Sequence, residues 1–190
     1  MGRTICVYCS SSDRIDEAYF EAARAVGREI GRRGHELVYG GANRGLMKAV
    51  AQSTLDAGGR VTGVIPQAIA DHGLTESGLD ELIVTRDLRE RKAAMEKRAD
   101  AFLALPGGFG TLEELLEVLT LKQLRLHDKP IALLNVSGHF EPLMAAFEGL
   151  IDSQFVHEQH RSLYGIFGDV AAAFEHLEAE PGEDAPDKWS

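Results

Sequence analysis

The 190-residue chain has two cysteines, one tryptophan and no apolar run of about 18 residues. The missing run excludes a transmembrane helix of ordinary hydropathy, and two thiols cannot build a multi-bridge disulfide framework. Positive charge is also short. Twenty Lys and Arg face 30 Asp and Glu, a formal balance of −10. That deficit argues against general binding to nucleic acid or to an anionic membrane, while a local cluster of amides and arginines can still hold a nucleotide. No Gly-Lys-Ser/Thr occurs, which removes a P-loop, and the turn after the first apolar run, Ser10-Ser11-Ser12, has no glycine for a dinucleotide fingerprint. Met1-Gly2-Arg3 leads straight into that apolar run without room for a secretory leader, so a cytoplasmic protein is expected.

What is present is a regular alternation. Hydrophobic residues make up 44% and charged residues 26%, enough for one full-sized core over residues 1–180. Short apolar runs read as buried strands: Thr4–Cys9, Glu36–Tyr39, Val61–Ile65, Glu81–Val84, Ala101–Leu105, Ile131–Val136 and Tyr164–Phe167. Helical periodicity fills the gaps, over about Asp16–Arg33, Leu46–Ala57, Leu88–Ala99, Thr111–Leu126, Phe140–Ser153 and Asp169–Glu178. Between Gln67 and Gly78 only a short helix and a mobile loop are expected, and residues 181–190 form an acidic tail expected to be disordered. The alternation predicts an α/β fold, a doubly wound parallel sheet in three α/β/α layers, with ligands beyond the carboxyl ends of the strands.

Three turns fall on that edge: Ser10–Asp13, Gly40–Gly45 and Gly107–Gly110. The third is the most informative. Pro106-Gly107-Gly108-Phe109-Gly110 separates an apolar run from a leucine-rich helix, so unobstructed amides and a helix N-terminus meet at an anion site. Glu114 lies just inside. Thr111-Leu112-Glu113-Glu114 spells a capping box with Thr111 as N-cap, so Glu114 is either a cap or a carboxylate with chemistry to do. Glu113, about 100° around the helix, is the weaker candidate. Arg91 shares a helical face with Leu88 and Met95, and is either a snorkelling side chain or a fork for a phosphate or sugar. Arg89 and Arg98 read as solvent-facing.

Other motifs carry less. Cys6-Val7-Tyr8-Cys9 has redox spelling but lies along a strand, where its thiols face opposite sides as buried groups. His157 and His160 are expected to be exposed, and no metal site is expected. Leu112, Leu115, Leu116 and Leu119 form a core stripe that Val118 and Leu121 widen, so a homodimer is expected.

The run Pro106–Glu114 fits a PGGxGTxxE signature, and with Arg91-Lys92 upstream it resembles the Lonely guy family, the cytokinin riboside 5′-monophosphate phosphoribohydrolases. Val38–Gly41, Gly45–Met47, Gly63–Pro66, His127–Pro130 and Leu134-Asn135 extend the similarity to about Glu180. The resemblance implies a Rossmann-like homodimer that takes a nucleoside 5′-monophosphate and releases adenine-type base and ribose 5-phosphate, with no cofactor. It carries Arg91 and Glu114 over as the catalytic pair. It places Lys92, Gly108, Phe109, Gly110, Thr111 and Thr120 at the substrate; the amides of Gly40 and Gly41 are suited to share the phosphate with those of Gly108–Thr111, and Ser11, Gly107 and Glu113 complete the expected substrate-binding set. Such proteins are often labelled lysine decarboxylases, but nothing in this sequence suggests a pyridoxal phosphate site. The competing expectation is a non-catalytic carrier of a phosphate-bearing, pterin-type cofactor on the same scaffold.

Overall fold

Thr4–Tyr8 is buried at every position after the first, as the middle of a parallel sheet requires. In the structure, a computed structural model that describes residues 2–179, it is β1, the central strand of seven. The acidic tail expected over 181–190 lies outside the described residues. Strands β2 (Glu36–Tyr39), β3 (Arg60–Pro66) and β4 (Glu81–Thr85) are added one after another on one side of β1. Strands β5 (Ala101–Ala104), β6 (Ile131–Leu134) and β7 (Gly165–Phe167) are added on the other, and every pairing is parallel.

Helices cover both faces. On one, α1 (Glu17–Arg32), α2 (Gly45–Asp56) and α7 (Val170–Glu178) bury Val26, Ile30, Val50 and Phe174 against Ile5, Leu37 and Leu103. On the other, α4 (Leu88–Arg98) and α5 (Phe109–Gln123) bring Met95, Leu115, Val118 and Leu119 onto Cys6, Val38, Phe102 and Leu133, and α6 (Glu141–Asp152) adds the half-buried Leu143, Met144 and Phe147. A single turn, α3 (Gln67–Ala70), follows β3. Carboxylates set several helix starts: Asp16 accepts from the Ala18 amide, Asp87 from those of Arg89 and Glu90, and Asp169 from that of Ala172.

The growth direction of the sheet reverses between β1 and β5, so the segments leaving those two strands diverge and open a crevice at their carboxyl ends. The Ser10 amide donates to the Pro106 carbonyl at 3.2 Å, fastening the two turns at its floor. Cys6 and Cys9 lie on opposite faces, both free and buried, and burial pushes both thiols far above their ordinary range. Among the described residues no helix is long and apolar enough to cross a membrane.

Four expectations are corrected. Helix α5 begins at Phe109 with Gly108 as N-cap and no side-chain cap, so Thr111 and Glu114 do not form the capping box their spelling suggested. Leu116 leaves the core stripe and is 42% exposed, because the sheet is met by Leu115, Val118 and Leu119 instead. His160 is buried, not exposed, because a 3-10 turn over Glu158–Leu163 folds its ring back toward the Gln123 side chain at 3.1 Å. A second 3-10 turn, Val136–Gly138, replaces the expected end of the sixth strand.

Candidate active site

Arg91 sits in the first turn of α4, on the side turned to β3 and α5. Its Nε donates to the Val64 carbonyl at 3.0 Å and its Nη1 to Glu114 Oε1 at 2.6 Å. The approach is possible because residue 40 is glycine: a Cβ there would meet Arg91 Nη2 at 2.2 Å. Both members of the pair are withdrawn from water, Arg91 at 8% exposure and Glu114 at 4%. Burial pushes the Glu114 carboxyl above its ordinary value, and the attraction of Arg91 offsets this only in part. Oε1 is held by Arg91, while Oε2 makes no hydrogen bond among the described residues.

The pair opens on a cavity of about 510 Å³ at the crevice. One wall is the turn after β1, Cys9 to Ser12; another is the α5 N-terminus, with Gly108, Gly110 and Thr111. Gly40, Ala42 and Arg44 come from the turn after β2, and Met47 from α2. Ile69 and Leu74, on either side of the α3 end, add an apolar flank. The segment carrying Leu74 is laid along the β2 turn. Thr75 bridges Ala42, the Asn43 amide donates to the Leu74 carbonyl, and the Glu76 amide donates to the Gly41 carbonyl.

The third turn is braced from behind. His139 Nε2 lies 3.2 Å from the Gly107 amide nitrogen and 3.1 Å from the Gly107 carbonyl oxygen, so its tautomer decides which bond forms. A Cβ on Gly107 would lie 2.0 Å from Thr111 Oγ1, so only glycine lets the turn fold this tightly over the first turn of α5.

Ser11, Gly40, Arg91, Gly108, Gly110, Thr111 and Glu114 thus meet in one cleft. The other residues singled out in the sequence lie elsewhere. Gly41 and Gly107 support the turns from behind, and Phe109 points outward at 95% exposure. Lys92 pairs with Glu113 and Glu117 along the outer side of α4 and α5. Thr120 back-bonds to the Leu116 carbonyl and lines a separate apolar groove with Leu119, Phe147 and Leu150. Arg44, Met47, Ile69, Leu74 and His139 escaped the sequence reading. An arginine inside a glycine turn was a usable signal for the first; the others become neighbours only through the topology.

Known proteins resemble this chain over most of its length. A family model described as "Possible lysine decarboxylase" matches residues 47–177. Cytokinin riboside 5′-monophosphate phosphoribohydrolase LOG5 of Arabidopsis thaliana is 41% identical over 177 residues, which is 93% of this chain and 78% of that protein. Probable cytokinin riboside 5′-monophosphate phosphoribohydrolase LOGL1 of Oryza sativa subsp. japonica is 48% identical over 144 residues, 76% of this chain but 65% of that protein. Among solved structures, the molybdenum cofactor carrier protein of Chlamydomonas reinhardtii superposes with a TM-score of 0.70 at 22% identity, covering 95% of this chain and 100% of that one. That likeness is one of fold. Identity of the former kind, over 93% of this chain, makes it a member of the Lonely guy family, to which the cytokinin riboside 5′-monophosphate phosphoribohydrolases belong.

Proposed function

We propose that this protein hydrolyses the N-glycosidic bond of N6-substituted adenosine 5′-monophosphates, and of AMP, to free base and ribose 5-phosphate. The observation that carries the reading is the buried Arg91–Glu114 pair at the edge of a cleft walled by two glycine turns. Breaking a ribosyl C–N bond builds positive charge on the sugar, and an ionised Glu114 in a desolvated setting stabilises that charge strongly. Water oxygen bonds to the anomeric carbon as the C–N bond breaks; the bonding pair leaves with the base, which takes up a proton from solvent, and the proton lost by water is returned there through Glu114. Glu114, with its raised carboxyl, is suited to take the proton that water loses. Arg91 holds one carboxylate oxygen and so keeps the other oriented. The amides at the α5 N-terminus receive the phosphate, and Met47, Ile69 and Leu74 offer an apolar flank for the base and its N6 substituent.

The names of the relatives support the substrate class, since LOG5 and LOGL1 are both described as cytokinin riboside 5′-monophosphate phosphoribohydrolases. Lysine decarboxylation finds less support. No lysine lines the cleft among the described residues, so there is no amine for a Schiff base there. A carrier of a phosphate-bearing cofactor gains nothing from a buried carboxylate beside its ligand.

The reading includes a homodimer in the cytoplasm. Leu116 and Leu150, each more than 40% exposed, border the apolar groove on α5 and α6, a surface suited to a second copy. Thr120 lies in that groove, so its contribution to a substrate runs through the subunit contact. Two unpaired thiols fit a reducing compartment.

The test is incubation with AMP and with isopentenyladenosine 5′-monophosphate, followed by chromatography for free base. Release of base from either, lost in Glu114→Gln, is the expected result. No release from either nucleotide overturns hydrolysis and leaves the carrier reading.

A further inference from the structure

Charge in the cleft is unevenly committed. Three of its lining side chains are charged: Arg44, Arg91 and Glu114. Arg91 and Glu114 are spent on each other at 2.6 Å, so together they offer a phosphate dianion no net attraction. Arg44 differs. It is exposed, lines the same cleft, and its side chain has no hydrogen-bond or ion-pair partner among the described residues. In a chain carrying 30 acidic residues, a guanidinium left unpaired at the mouth of a cleft calls for a ligand.

The local structure does not use Arg44 for anything else. It is the N-cap of α2 in extended conformation (φ −137, ψ 157), and it makes no side-chain cap. Asp13 does that work, accepting from the Gly45 amide at 2.9 Å. The turn is nonetheless rigidly placed. The Leu46 amide donates to the Ser10 carbonyl at 2.9 Å, and a Cβ on Gly45 would lie 2.5 Å from the Ser11 carbonyl carbon. Arg44 is thereby fixed to the Ser10–Ser12 turn, in the same cavity as the α5 N-terminus.

We propose that Arg44 is the phosphate-binding cation of this cleft and the source of its preference for a nucleoside 5′-monophosphate over the nucleoside. Its fork can grip two phosphate oxygens while the α5 amides take others. The inference rests on the phosphate-binding half of the function proposed above and is independent of the hydrolytic half. Because the Arg44 side chain supports no contact of the fold, and its carbonyl, which accepts from the Lys48 amide, survives substitution, its replacement leaves the thermal midpoint where it was.

The experiment is calorimetric binding of ribose 5-phosphate and of adenosine to wild type, Arg44→Ala and Arg44→Lys. Arg44→Ala is expected to weaken ribose 5-phosphate about tenfold or more, Arg44→Lys less, with adenosine unchanged in all three. In turnover, the KM for AMP rises more than kcat falls. Equal affinity of wild type and Arg44→Ala for ribose 5-phosphate overturns the proposal. So does an equal loss for adenosine, or wild type that does not bind ribose 5-phosphate. A protein that releases no base yet holds ribose 5-phosphate through Arg44 keeps this proposal and loses the hydrolytic one; base release indifferent to Arg44 does the reverse.

Discussion

Two neighbouring cations of α4 are each paired with carboxylates of α5, and the two arrangements could hardly be less alike. Arg91 reaches Glu114, and Lys92 reaches Glu113 and Glu117. Adjacent positions on a helix point about 100° apart, so one pair is driven inward under β3 and the other stays at the rim. The rim carboxylates are open to water, Glu113 at 58% and Glu117 at 42% side-chain exposure. Burial alone would lower the Lys92 amine, but its two acidic partners outweigh burial and hold it above its ordinary value. For Glu114 the balance falls the other way, and burial prevails over its partner. The rim pair is a clamp of modest worth. The inner pair is costly to desolvate, and apolar residues of similar size would hold the helices together at least as well. Fold stability therefore does not explain it, and the role proposed for it at the cleft would.

The contrast can be broken most directly at Arg91. Arg91→Ala strands a carboxylate in the interior and should cost about 3–5 kcal/mol at neutral pH, read by denaturant unfolding. The sign with pH is fixed. A buried carboxyl with a raised folded-state value is tolerated while protonated, so the deficit should shrink as pH falls through that value and reopen as pH rises. A loss below about 1 kcal/mol would put the inner pair in the same class as the rim pair.

Glu114→Gln keeps the shape and removes the charge. Base release should fall at least about a hundredfold, mostly in kcat. The wild-type profile of kcat/KM should also decline on the acid side around an apparent value above the 4.5 of a free glutamate, because in the proposed mechanism only the ionised form stabilises the ribosyl cation. That limb should vanish in the glutamine variant.

A smaller effect is expected behind the Gly107–Gly110 turn, the one proposed to receive the phosphate. His139→Phe preserves ring packing against Tyr19 and removes the bond to Gly107, so KM for the nucleotide should rise by about fivefold with kcat nearly kept. Lys92→Met should do least, at most about 1 kcal/mol of stability, vanishing further in high salt. A cost for Lys92→Met rivalling that for Arg91→Ala ends the distinction between the pairs.

The sheet was legible because its inner strands are covered on both faces and so spell short, unbroken apolar runs. β5 and β6 are buried at every residue, and helical periodicity between such runs left no other architecture. The ends of elements were less so. The start of α5 was misplaced because Thr111 and Glu114 have the spacing of a cap, yet Glu114 is taken by Arg91, a residue of the preceding helix. Leu116 was misassigned for a related reason: a leucine-rich helix shows periodicity, but not which side the sheet takes. Arg91 and Glu114, two of the three charged side chains that line the cleft, were picked out by motif. Its apolar flank was not, since Met47, Ile69 and Leu74 come from separate elements that meet only when β2 and β3 align.

The hold on Arg91 from the strand side comes from a peptide carbonyl, that of Val64, rather than from another side chain. A carbonyl is supplied by whatever amino acid stands there, so no substitution at residue 64 that keeps the strand can take the anchor away. The identity of the β3 side chain can thus change without removing the hold on the guanidinium, and with it the orientation of the Glu114 oxygen that Arg91 grips.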